Sequence, residues 1–315
     1  MKAATSAAAD VPLALLEMPP AALGARDVRV SVRAVGVNPV DWKMRAGGPL
    51  RLAHRFLGPG GPLVVGVDFA GVVTEAGPGA DLAVGARVVG GTDFSRKQRG
   101  SYADEVVVRD EQCAVLPADV SFERAACLPV AAVTPWISLT DHAHVVPGSR
   151  VLVLGASGGV GLFALSLSKM LGAFVAGVCS TRNVEVVERF GDVAIDYTRG
   201  DALTMARAHG PYDLVLYAIG TDVYPLDRAI ALLTPSGTVD LAVPTPEDYL
   251  AIAFARQVTT VLGRPNRARL APLVDALARG DLEPIIQATY PLADAEEAHR
   301  VSKAGKVVGK LLLVP

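Results

Sequence analysis

The chain is short of charge, of cysteine and of aromatic residues, and each shortage closes off a class of reading. Only 20% of its 315 residues are charged, 32 acidic against 30 basic, for a formal net charge of −2. A nucleic-acid surface needs a basic excess, and a disordered chain needs high charge with low hydrophobicity. Neither is present, and 51% of the residues are hydrophobic. No run of five like charges occurs, which removes basic arms and acidic tails. Cys113, Cys127 and Cys179 lack C-x-x-C spacing, so they supply neither a disulfide framework nor a structural zinc site. They point to a reducing, cytoplasmic setting. Asp10 stands where a secretory leader would need its apolar core. Residues 151–168 carry no charge, but they hold four glycines and end at Lys169. A parallel strand running into a buried helix accounts for them better than a membrane span does. The expected partner is a small molecule, not a nucleic acid or a membrane.

What is present divides into two rhythms. Residues 27–35 alternate strictly between polar and apolar, the mark of a half-buried strand. Residues 63–73, 86–90 and 103–108 read as further short strands joined by turn-rich connectors, which suggests a compact barrel-like unit. A helical stretch over 122–140 then leads into a wholly apolar strand at 151–154. From there the pattern predicts helix 159–171, strand 174–179, helix 184–190, strand 193–196 and a helix near 203–208. It continues with strand 214–219, helix 226–233, strands 238–243 and 258–262, and helix 270–279. Such alternation is how a parallel sheet covered by helices on both faces is written. The tail 309–314 reads as a strand returning to the first unit.

Between strand 151–154 and its helix lies Gly155-Ala156-Ser157-Gly158-Gly159-Val160-Gly161. Glycines in a strand-to-helix turn permit the bend, let backbone approach a pyrophosphate and let the helix pack on the strand. The helix N-terminus offers unpaired N–H groups and a partial positive charge to two phosphates. Ala156 departs from G-x-G-x-x-G, standing where the first glycine would align with Gly158 and Gly161. About twenty residues on, where NAD sites place a carboxylate for the ribose 2′-hydroxyl, the chain has Cys179-Ser180-Thr181-Arg182-Asn183. Ser180 and Arg182 can serve a 2′-phosphate, so NADPH is favoured over NADH. The alternative for Arg182 is a solvated residue opening a helix. His142 and His144 have no nearby nucleophile or Glu and read as structural, and Ser157 lacks a hydrolase elbow.

These residues, together with several other segments, resemble the medium-chain dehydrogenase/reductase superfamily in its zinc-independent quinone oxidoreductase and enoyl reductase branch. The matching segments run from Gly36-Val37-Asn38-Pro39-Val40-Asp41-Trp42-Lys43-Met44-Arg45-Ala46-Gly47 through Gly66-Val67-Asp68-Phe69-Ala70-Gly71-Val72-Val73 to Gly100-Ser101-Tyr102-Ala103-Asp104-Glu105. They continue with Ala125-Ala126-Cys127-Leu128-Pro129, the glycine loop and Gly305-Lys306-Val307-Val308-Gly309-Lys310. The resemblance implies an α/β protein: a GroES-like β-rich catalytic domain made from both chain ends (1–122 and 283–315) and a Rossmann doubly wound parallel-sheet domain (123–282). It also implies a homodimer.

Zinc-dependent relatives need an early cysteine with His and Glu partners. Here the early stretch has Asn38 and Asp41 and no cysteine before Cys113, so no metal is expected. The chemistry implied is hydride delivery from NADPH to a quinone or an α,β-unsaturated carbonyl, with stabilisation of the anion formed. By the resemblance, Asn38 is a catalytic residue at the nicotinamide end, Thr134 lies beside the nicotinamide and Tyr197 packs near the adenosine phosphate. Lys43 takes a position where relatives carry Tyr or Lys. It is either a group that stabilises the oxyanion or donates its proton, or an exposed helix residue. Two departures stand out. Gly47-Gly48-Pro49 has no tyrosine donor, and Phe94-Ser95-Arg96-Lys97-Gln98-Arg99 is unusually basic, either to attract an acidic or phosphopantetheine-bearing substrate or simply as a solvated loop. A non-redox pathway enzyme on this fold, and a non-catalytic NADPH-binding protein, remain the alternatives at this level.

Overall fold

The computed structural model describes residues 1–315 apart from 9–10, 48–50, 53–55, 57 and 262. Asp10, Gly48, Pro49 and Leu262 of the sequence reading therefore lie outside the described residues. The chain separates into two units: Met1–Val133 with Arg264–Pro315, and Thr134–Gly263.

The strands, in chain order, begin with β1 (Lys2–Ser6), β2 (Ala14–Glu17), β3 (Asp27–Val37), β4 (Leu63–Val64) and β5 (Asp68–Ala76). Next come β6 (Arg87–Gly91), β7 (Glu105–Arg109) and β8 (Cys113–Val115). The second unit holds β9 (Arg150–Leu154), β10 (Phe174–Cys179), β11 (Val193–Asp196), β12 (Tyr212–Tyr217), β13 (Leu233–Leu241) and β14 (Val258–Thr260). β15 (Ile286–Pro291) and β16 (Lys310–Val314) return the chain to the first unit.

In the first unit the larger sheet runs β15-β16-β3-β5-β6-β8, with β7 also paired to β3, and a smaller sheet runs β2-β1-β4. β3 is its spine, because alternation along Val28, Val30, Val32 and Ala34 turns every second residue into the core. That core includes Phe69, Val88, Tyr102, Val108 and Leu313. β16 lies antiparallel on β3 with Leu311 opposite Val37, so the end of the chain sits directly beside the residue that precedes Asn38. The tail strand expected at 309–314 is this one.

In the second unit the order is β11-β10-β9-β12-β13-β14 and every pair is parallel. Counted from β9, that is 3-2-1-4-5-6, the doubly wound dinucleotide-binding order, and the sheet reverses direction of growth between β9 and β12. Ligands in such sheets bind beyond the carboxyl ends of the strands at that switch point. The glycine loop follows the last residue of β9, Leu154, and so stands at it.

Some expectations need correction. The helix expected over 122–140 is three pieces: Phe122–Ala125, Val133–Ile137 and a π-helical segment Ser138–His142. Pro129 lies between the first two and has no N–H to continue a helix. The run 63–73 is two strands in different sheets. Strand 238–243 begins earlier, at Leu233. By contact, the two units divide near 133 and 264. The helix Arg267–Arg279 goes with the first unit because Arg267 donates to the Cys113 and Asp110 carbonyls at 3.2 and 2.9 Å, and Arg124 donates to Leu277 O at 3.4 Å. Periodicity finds a helix but does not say which sheet it caps. No helix among the described residues is long and apolar enough to cross a membrane.

Candidate active site

In the second unit, the glycine loop has the geometry of a phosphate cradle. Gly155 has φ +84°, a conformation that favours glycine, and a Cβ there would meet Ile219 at 2.3 Å. A Cβ on Gly161 would sit 2.3 Å from Gly155 O, so only glycine lets the helix Gly159–Met170 start this close to β9. Gly158 is open: a Cβ there would meet nothing nearer than Gly155 O at 3.6 Å. The first-turn N–H groups of Gly159, Val160 and Gly161 have no partner within the helix and lie at its positive end. The residues present fit a dinucleotide pyrophosphate.

Ala156 plays a different part from the one its motif position suggests. Its N–H donates to Val178 O at 2.9 Å and its methyl is fully buried. A Cβ on Gly177 would come within 2.7 Å of that methyl, so the alanine in the loop is matched by a glycine in β10. Ser157 Oγ accepts from Asn183 Nδ2 at 2.8 Å, which ties the loop to the turn Thr181–Asn183. Asn183 was not singled out from the sequence. Ser180 precedes that turn, and Arg182 is exposed with no ion pair among the described residues. The carboxylate that the strand end lacks is supplied by the neighbouring strand. Asp196 on β11 is in register with Cys179, and accepts from Thr181 Oγ1 at 2.7 Å, from Thr198 and from Arg199 at 3.2 Å. The Thr181 hydroxyl above all holds its carboxyl below the usual range. Thr181 is thus committed to Asp196, and Asp196 to its own surroundings. Tyr197 follows, half exposed, its N–H bonded to Cys179 O at 3.1 Å. Thr134 is buried in the helix Val133–Ile137, against Gly263, where a Cβ would lie 2.5 Å from its hydroxyl. His142 pairs with the buried Asp240 at 2.7 Å.

In the first unit, Asn38 caps the helix Pro39–Arg45 but does not offer its amide outward. It is 2% exposed. Its Nδ2 donates to Asp68 at 2.8 Å and to Gly36 O at 3.3 Å, and its Oδ1 accepts from Lys310 Nζ at 2.6 Å. Lys310 also donates to Val37 O at 3.0 Å and lies 3.4 Å from Asp68, whose other oxygen accepts the Val130 N–H at 3.0 Å. The Asn38 side chain, expected at the nicotinamide end, is thus buried with its amide bonded to Asp68, Gly36 and Lys310. Lys43 is outside this cluster: it is half-buried, with its ammonium 5.8 Å from the Trp42 ring centre.

A second polar chain runs from the same helix. Asp41 Oδ2 accepts the Asn38 N–H at 2.7 Å and the Tyr102 hydroxyl at 3.1 Å, and Tyr102 Oη meets His299 Nε2 at 3.1 Å. All three side chains are buried, and among the described residues Asp41 Oδ1 and His299 Nδ1 have no partner. Burial pushes the Asp41 carboxyl up to about 7, and burial with the nearby Arg45 charge pushes His299 down to about 4. Asp68, Tyr102, His299 and Lys310 were not named as site residues, although three of the four sit inside segments that carry the family resemblance. Among the described residues no group of three His, Cys, Asp or Glu side chains gathers as a metal-holding set.

Two family models match the chain: "Alcohol dehydrogenase GroES-like domain" over residues 24–118 and "Zinc-binding dehydrogenase" over residues 190–313. The human mitochondrial NAD(P)H oxidoreductase RTN4IP1 is 30% identical over 330 residues, covering 91% of this chain and 81% of that protein. A chloroplast envelope quinone oxidoreductase homolog of Arabidopsis thaliana is 29% identical over 303 residues, covering 92% and 90%. The solved quinone oxidoreductase of Coxiella burnetii superimposes with a TM-score of 0.88 at 26% identity, covering 100% of this chain and 98% of the other.

Replacing Lys310 by Met should leave Asp68 buried and uncompensated, at a cost of about 3–5 kcal/mol, read as a lower urea midpoint. A midpoint within experimental error of the parent would refute the buried-pair account. The second chain gives a pH signature. Asp41 keeps its proton to about 7 when folded but to 3.8 when unfolded, so its contribution is present at acid pH and lost as pH rises towards 7. His299 has the opposite sign: folded about 4, unfolded 6.5, so its contribution is present above 6.5 and lost as pH falls towards 4. Between those limits the two slopes oppose each other. Relative to the parent, His299→Gln should lose stability as pH rises from about 4.5 to about 6.5, and Asp41→Asn should gain it. Parallel denaturation slopes for all three proteins would show that the pair does not titrate this way.

Proposed function

The chain belongs to the medium-chain dehydrogenase/reductase superfamily, in its quinone oxidoreductase branch, and is an oxidoreductase; on that premise we propose a zinc-independent, NADPH-dependent reductase of quinones or α,β-unsaturated carbonyls. The observation that carries the reading is the glycine cradle at the switch point of the 3-2-1-4-5-6 sheet. When bound, the reduced nicotinamide supplies a hydride. The N–H groups of Gly159, Val160 and Gly161 hold the pyrophosphate, with Gly155 and Gly158 keeping the backbone clear. Ser180 and Arg182 receive the 2′-phosphate, and the engagement of Asp196 by Thr181, Thr198 and Arg199 supports that choice over a free ribose 2′-hydroxyl. Tyr197 offers its exposed ring to the adenosine side, and Thr134 orients the nicotinamide.

Lys43 Nζ holds a proton where negative charge develops on the acceptor oxygen, and either stabilises that charge or gives up the proton. The absence of an early cysteine and the internal commitment of Asn38 and Asp41 support chemistry without zinc. Three free, buried thiols support a cytoplasmic setting. Among the described residues the outer strand β14 pairs only with β13, which supports a homodimer built through its second edge.

Arg182→Ala should weaken NADPH binding about 10-fold or more with NADH affinity little changed, since a charge-assisted bond is worth about 1.5–3 kcal/mol. Equal losses for both cofactors in a paired titration would contradict the 2′-phosphate assignment. With NADPH and a panel of quinones, enals and enones, turnover of at least one class is expected, and Lys43→Met should lower kcat about 100-fold. Tight cofactor binding with no acceptor reduced would remove the reductase reading.

A further inference from the structure

The buried chain Asp41–Tyr102–His299 is not used by the chemistry above, and it is anchored on one helix turn. The Tyr102 hydroxyl donates to Asp41, so its oxygen is left to accept, and His299 Nε2 must carry the hydrogen of the 3.1 Å contact. That fixes the imidazole as the Nε2–H tautomer and leaves Nδ1 as a bare lone pair, in agreement with its lack of a partner. At the other end, Asp41 Oδ2 takes two donors while Oδ1 takes none from the described residues. A chain whose two terminal atoms are buried and unsatisfied is costly to keep unless its protonation state matters.

Asp41 is the third residue of the helix Pro39–Arg45, and its bond to the Asn38 N–H closes that helix's first turn. The next two residues are Trp42 and Lys43. Trp42 is held from the other side by Ser302 Oγ at 3.1 Å, and both Lys43 and Lys303 place an ammonium 5.8 Å from its ring. A change at Asp41 therefore reaches position 43 through the turn that carries both. We propose that Asp41, Tyr102 and His299 form a positioning unit for the Lys43 helix, with the proton on Asp41 setting how firmly the first turn is closed. This rests on the reading of Lys43 as the group that meets the acceptor.

The direction follows from the bonds. Ionised, Asp41 accepts strongly from the Asn38 N–H and the Tyr102 hydroxyl. Protonated, it is a poorer acceptor with no partner for its own hydrogen at Oδ1. The turn is tightest on the alkaline side of the transition, which burial places near 7. The charged groups around Asp41 are Asp68, which raises its affinity for the proton, and Lys310, which lowers it, along with the Tyr102 hydrogen bond. Around His299 they are Arg45, Lys303 and Glu296. Lys43 and Arg45 share the Asp41 helix.

Trp42 reports the turn without any substrate. In a Trp136→Phe background, which removes the second of the two tryptophans, emission should change in one step centred near pH 7. Asp41→Asn keeps an oxygen to accept both bonds but cannot ionise, and should abolish the step while NADPH affinity changes by less than about twofold. Tyr102→Phe removes a bond to the ionised form and should move the step up by about one pH unit. His299→Gln, whose amide N–H can still donate to Tyr102, should leave it in place. In the unsubstituted protein, kcat with a reducible acceptor should rise through the same pH range, and Asp41→Asn should flatten that limb without a matching change in KM. A featureless emission curve in the parent, a step that survives Asp41→Asn, or a downward move in Tyr102→Phe would overturn the proposal. Failure of every acceptor would remove the reductase reading alone, because the emission measurements decide the positioning unit without turnover.

Discussion

The ammonium of Lys310 is the interaction on which the first unit depends. It is carried by the last strand and held by Asn38, Asp68 and the Val37 carbonyl, residues more than two hundred positions earlier. A charge taken this far from water is tolerated only when it is paired and its hydrogens are used. Meeting that demand closes β16 onto β3 and aligns Asp68 with Asn38. It also brings the Val130 N–H to the second oxygen of Asp68. Four segments scattered through the chain are thereby held at one point. Much of the pair's value is specificity, since a buried ion pair contributes little net stability but strongly penalises any arrangement that breaks it.

In the second unit the corresponding constraint is steric. The helix after β9 starts against its own loop, with no room for a Cβ at Gly161, and the alanine of the loop is accommodated by Gly177 in the adjacent strand. Close approach is what leaves the first N–H groups of the helix pointing past the sheet edge, unpaired. An anion-binding surface is thus produced by packing and backbone alone. The polar side chains nearby do secondary work: Asn183 ties the loop to the next turn, and Asp196 gathers Thr181, Thr198 and Arg199.

The segments that carry the family resemblance look in the sequence like separate signatures. In the structure they are one assembly. Asn38 and Asp41 come from the first, Asp68 from the second, Tyr102 from the third and Lys310 from the last; the side chains of Asn38, Asp68 and Lys310 bond together, those of Asp41 and Tyr102 bond together, and the Asn38 N–H joins the two sets. Reading each segment for a catalytic residue singled out Asn38 and passed over Asp68 and Lys310, which bond to its amide. A buried Asp or Lys looks like any surface charge in a sequence, because burial is a property of neighbours that arrive from elsewhere in the chain. His299 gave no signal at all; it sits in a helix, Ala295–Lys303, that no pattern had marked.

Local patterning was enough to determine the alternation of β3, the strand–helix series of the second unit and the glycine loop with its place after β9. These depend on period and on backbone permissiveness, both of which are written in consecutive residues. The tertiary structure alone decided where the units divide, which acid stands beside Cys179, and that Asn38 faces inward. It also joined Asp41, Tyr102 and His299 into one buried hydrogen-bonded chain. Each of these is set by desolvation and pairing between residues tens to hundreds of positions apart, and such energies exist only once the sheets have closed.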